Sequence, residues 1–99
     1  MKNTITIKKL STMPYAQAHV ELMPDGSKEL FSYMTRVVSV DAEGFVTVYG
    51  TYSATTRKHI SAFAKEYLAP LDYYNIKDAY EGEYKINYLT GEVVDYKDC

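Results

Sequence analysis

The run Tyr52-Ser53-Ala54-Thr55-Thr56-Arg57-Lys58-His59-Ile60 is the one stretch of this 99-residue chain with pronounced chemical character. It opens the only long segment with helical periodicity. A helix N-terminus carries about half a positive charge from unpaired N–H groups, so stability alone places Asp or Glu in the first turn. Here the turn holds Arg57, Lys58 and His59, and the positions four residues on from the first two are Ser61 and Ala62, neither of them acidic. Two hydroxyls, two or three cations and free N–H groups make an expected anion or partner contact. The candidate residues are Thr55, Thr56, Arg57, Lys58 and His59, with Arg36 beside them. The ordinary alternative is that Arg57 is a structural bridge and Lys58 a plain surface lysine. On a helical wheel centred on Ile60, Arg57 falls inside the apolar arc and points towards the sheet edge, Lys58 lies on the outer face, and His59 shares a flank with Glu66.

The charge is uneven. Residues 53–69 carry a balance of +2, whereas residues 70–99 carry −4, within a net charge of −2. Six of the eleven tyrosines, Tyr73, Tyr74, Tyr80, Tyr84, Tyr88 and Tyr96, crowd that acidic third. Tyrosine gives apolar area with a polar tip and is enriched in interfaces. An acidic, tyrosine-rich interaction surface centred on Glu92, Asp95 and Asp98 is the second candidate. The plain alternative is a small domain that covers its sheet with tyrosine.

Other chemistry finds little footing. There is no G-x-G-x-x-G, Walker loop, G-x-S-x-G or H-E-x-x-H. Cys99, the only cysteine, ends the chain, where no rigid pocket forms around a nucleophile. His19 and His59 lack zinc-ligand spacing. The expectation is a non-enzyme with no cofactor and no metal. No apolar run reaches the ~18 residues of a membrane span, and no disulfide can form within the chain, so the reading is cytoplasmic.

The elements that must position these residues follow from periodicity. Thr4–Leu10, Tyr15–Met23, about Glu29–Val40 and Phe45–Tyr52 read as strands, separated by turn signals at Pro24-Asp25-Gly26-Ser27 and Asp41-Ala42-Glu43-Gly44. Ile60, Phe63, Ala64, Tyr67, Leu68 and Leu71 form one apolar helical stripe, giving a helix over about 54–69, limited by Pro70. A short capped helical turn near Asn75–Gly82 and a small hairpin at Tyr84–Tyr88 and Glu92–Tyr96 complete the order. The expected fold is a single α+β domain over 1–99: an antiparallel sheet of about four strands, one main helix on one face, and a small C-terminal hairpin.

Phe31-Ser32-Tyr33-Met34-Thr35-Arg36-Val37-Val38, followed by Gly50-Thr51-Tyr52-Ser53-Ala54-Thr55-Thr56-Arg57-Lys58-His59-Ile60-Ser61-Ala62-Phe63, resembles a group of small uncharacterised proteins. They are encoded by bacteriophages and mobile elements of Gram-positive bacteria, and the likeness spans about 31–68. It implies a bacterial cytoplasm and a small accessory role, and it assigns no catalytic residue. The leading expectation is therefore a phage-type interaction module for a host protein, such as a defence nuclease bound in the manner of an anti-CRISPR protein. The alternative is a nucleic-acid backbone held by residues 55–59. Monomer and homodimer both remain open.

Overall fold

The computed structural model describes residues 5–50 and 53–95. Among them, seven strands form one sheet in sequence order: β1 (Thr6–Lys8), β2 (Ala18–Leu22), β3 (Lys28–Ser32), β4 (Thr35–Val40), β5 (Phe45–Val48), β6 (Tyr84–Asn87) and β7 (Val93–Asp95). Every neighbouring pair is antiparallel. Two helices, α1 (Ala54–Tyr67) and α2 (Tyr73–Gly82), lie between β5 and β6 in the chain.

Side chains alternate across a strand, so each strand offers one face to a core. Val20, Leu30, Val38 and Val48 face one another across β2–β5, joined by Val40 and Val46, and all are buried. Ile60, Phe63 and Ala64 of α1, Leu68 at its C-cap, and Ile76 and Ala79 of α2 close over them. The helical stripe read from the sequence is therefore the buried one, with Tyr67 and Leu71 packed at its margin. Glu66 fastens the far end of α1: its carboxylate accepts from the Ser11 backbone N–H (2.9 Å) and hydroxyl (2.6 Å).

The four-strand, one-helix expectation is corrected by this sheet of seven strands and two helices. The C-terminal hairpin is no appendage. β6 pairs with β5, Phe45 opposite Asn87 and Val46 opposite Ile86, which extends the main sheet. Buried Asn87 stitches the junction. Its Nδ2 donates to the Glu43 carbonyl at 3.1 Å, and its Oδ1 accepts from the Leu89 and Thr90 N–H groups. Gly44, at φ +104°, makes room for that contact, because a Cβ there would lie 2.9 Å from Asn87 Oδ1. Periodicity reports each strand's own alternation but not which distant strand it joins, so a β5 edge open to β6 was invisible locally.

Two boundaries also move. The expected strand over about Glu29–Val40 breaks at Tyr33 and Met34, whose φ values of 54° and 77° turn the chain into a tight hairpin. Two successive positive φ values are the mark of a type I′ turn, which normally uses Asn-Gly. A β-bulge between Leu30 and Phe31 then leaves both Val37 and Val38 buried. The second helix starts earlier than expected, at Tyr73, because Asp72 and Asn75 form a reciprocal capping box.

Replacing Tyr33 by Asn and Met34 by Gly removes left-handed strain from two large L-residues. The double variant is expected to gain about 1–2 kcal/mol in denaturant unfolding without a change in the slope of the transition.

Candidate functional site

α1 begins with Ser53 as N-cap. Its hydroxyl oxygen accepts from the Thr56 N–H at 3.2 Å, and its carbonyl accepts from the Arg57 N–H at 3.0 Å. No acidic residue occupies the first turn. Ala54, Arg57, Lys58 and Ser61 then recur at the i, i+3, i+4 and i+7 spacing that makes one helical stripe. This stripe faces the start of α2, where the capping box sets Tyr73 and Tyr74 in the first turn. Together these six residues line a groove of about 320 Å³.

Tyr73 is half-buried against the core, and Tyr74 stands 71% exposed. Their rings meet edge to face at 5.7 Å. Arg57 and Lys58 are both exposed, and neither forms an ion pair with a carboxylate among the described residues. The groove thus combines two cations without internal counter-charge, two aromatic rings and a hydroxyl. Such a lining suits an anionic group carried beside an apolar or planar one.

The expected patch divides into three. Arg57 and Lys58 share the groove, while Thr55 is exposed on the same first turn. Arg57 does not reach back across the sheet edge, since burial in the first turns of α1 runs through Thr56, His59, Ile60 and Phe63 rather than through position 57. His59 is not a surface cation: it is 1% exposed. Its Nδ1 lies 2.8 Å from Ser32 Oγ, which in turn lies 3.3 Å from Thr56 Oγ1. Burial pushes the His59 pKa below the ordinary imidazole value of 6.5, favouring the uncharged ring. Arg36 sits elsewhere. It is opposite Phe31 on the sheet face away from the helices, paired with Glu29 at 3.0 Å and stacked 4.6 Å from the Tyr49 ring centre.

Of the acidic candidates, Glu92 and Asp95 are exposed at the β7 edge of the sheet. Asp98 lies outside the described residues. Sequence reasoning assigned Tyr73 and Tyr74 to that acidic surface, but the turn between the helices delivers them to the cations. Ser32 and Ser61 carried no signal of their own. No group of three or more His, Cys, Asp or Glu side chains suited to a metal occurs among the described residues, and no described helix is long and apolar enough to cross a membrane.

Residues 2–79 match the model of a family of unknown function, DUF8033. The chain belongs to that family. No curated protein matches it, and no solved structure does. In this DUF8033 chain the matched span holds every residue of the α1–α2 groove, whereas β6 and β7, with Glu92 and Asp95, lie beyond it.

Arg36→Ala separates the two surfaces. It is expected to lower Tm slightly through the lost pair and stacking, while any ligand of the groove binds as before. Thermal denaturation beside a binding isotherm checks both.

Proposed function

We propose that this chain is a non-enzymatic interaction module that binds a host protein through the α1–α2 groove. The proposed setting is the cytoplasm of a Gram-positive bacterial host, and the proposed role is a phage-type accessory one, antagonism of a defence system. The observation that carries the reading is that Arg57 and Lys58 stand beside Tyr73 and Tyr74 without a carboxylate partner among the described residues. Tyrosine and arginine are the residue types that most often dominate binding energy at protein interfaces. The fitting partner segment is acidic, with an apolar side chain to lie against Tyr74.

A nucleic-acid strand is the second reading. Tyr74 next to two cations favours it, since bases stack on exposed rings while phosphates meet cations. The net charge of −2 and the acidic last third oppose long polyanions and favour the protein partner.

The test compares wild type with Arg57→Glu/Lys58→Glu as immobilised bait in host lysate and on single-stranded oligonucleotides at low salt. One stoichiometric host protein retained by wild type, and bound about 30-fold or more weakly by the double variant, is expected. An oligonucleotide shift that collapses with salt, with no protein retained, overturns the protein reading in favour of the strand.

A further inference from the structure

His59 is the only ionisable side chain that is fully buried among the described residues. It ends a chain of hydroxyl contacts that starts at the helix cap. Ser53 Oγ donates to Thr56 Oγ1 at 3.3 Å, Thr56 Oγ1 meets Ser32 Oγ at 3.3 Å, and Ser32 Oγ meets His59 Nδ1 at 2.8 Å. Ser32 and Thr56 are themselves 3% and 4% exposed. This chain ties the first turn of α1 to the last residue of β3. The turn beyond β3 is the left-handed Tyr33–Met34 pair, and the Tyr33 ring leans over His59 at 5.8 Å.

The surroundings offer no counter-charge to a positive imidazole. From β3 it meets the Ser32 hydroxyl, and from the β3–β4 turn the Tyr33 ring. Its own helix supplies the Thr56 hydroxyl through Ser32 and the cations Arg57 and Lys58 on the adjoining positions. The positive end of the α1 dipole lies just N-terminal to it. No carboxylate among the described residues pairs with it. A charge there is both desolvated and uncompensated, so the ring stays neutral while it is buried, and a protonated ring is stabler exposed to water.

We propose that His59 is an acid-operated latch on the α1–α2 groove: uncharged, it holds the first turn of α1 on the end of β3, and protonated, it releases that turn together with Arg57 and Lys58. The regulatory meaning rests on the groove being the binding surface; the latch itself does not. The sign follows from linkage. The released state binds a proton more readily than the closed one, so closure is complete above pH 6.5 and weakens as pH falls below it.

Hydrogen exchange on the whole chain tests the latch without any partner, at pH 7.5, 6.5 and 5.5, with rates corrected for intrinsic exchange. In wild type, opening at the Thr56 and Arg57 amides is expected to rise by up to about tenfold per pH unit below 6.5, ahead of the Val20, Leu30 and Val38 amides. His59→Asn, whose side-chain amide reaches Ser32 where Nδ1 did, is expected to show no such rise. His19→Gln, which removes the other histidine, is expected to follow wild type. A flat wild-type response overturns the latch, as does a rise that persists in His59→Asn, or helix and sheet amides opening in step. Should His59→Asn fail to fold, the His59 ring-proton titration in wild type decides. Coincidence with amide opening supports the latch, and titration without opening overturns it. Each of these failures leaves the groove's binding, read from Arg57→Glu/Lys58→Glu, as a separate question.

Discussion

The structure depends on burying one face of a seven-stranded antiparallel sheet. Alternation along β2–β5 puts Val20, Leu30, Val38, Val40, Val46 and Val48 on a single side, and both helices must come to that side to cover them. The other side keeps its paired polar and aromatic residues: His19 stacked on Phe31, Arg36 on Tyr49, and Glu29 held by Arg36. Burial at about 25 cal/mol per Å² drives the helices onto the valines but does not say how α1 is rotated or where it begins. Directional bonds supply that. Glu66 with Ser11 holds one end of α1, and Ser53, Thr56, Ser32 and His59 hold the other.

This division of labour explains the placement of the cations. With Thr56, His59, Ile60 and Phe63 turned to the core, Arg57 and Lys58 have only the solvent side and the start of α2 to face. The groove is thus a by-product of how the helix is pinned. Charges opposed to the helix dipole sit where they are free of the sheet, and the one basic group among the described residues that enters the interior is the one that can shed its proton.

Single elements were legible in the sequence, because they are written in local period, but the sheet they build was not. The α1 stripe from Ile60 to Leu71, the β1, β2 and β5 strands and the Asp41–Gly44 turn all follow from neighbours in the chain. What escaped depends on distant partners or on strain. β6 joins β5 through Asn87 and Gly44, residues that report nothing until brought together. The Tyr33–Met34 turn has none of the usual turn residues, since its conformation is imposed by the flanking strands. At the site, Arg57 and Lys58 were legible as an electrostatic anomaly, but their pairing with Tyr73 and Tyr74 needs the turn between helices. His59 was misplaced because a wheel centred on Ile60 misses how far burial extends along its flank.

The order of the sheet has a consequence for how the chain assembles. The seven strands make six neighbouring pairs, joined by short connections but for one interruption: β5 meets β6 across residues 49–83, which hold both helices. Within the sheet that is the long closure, and its entropy grows slowly with length, by about 0.6 kcal/mol per doubling. β1–β5 each pair with a neighbour in the chain, whereas the far margin of β5 is paired only by β6. The last hairpin extends the sheet beyond β5, and the span that separates the two in the chain is the one that carries the groove.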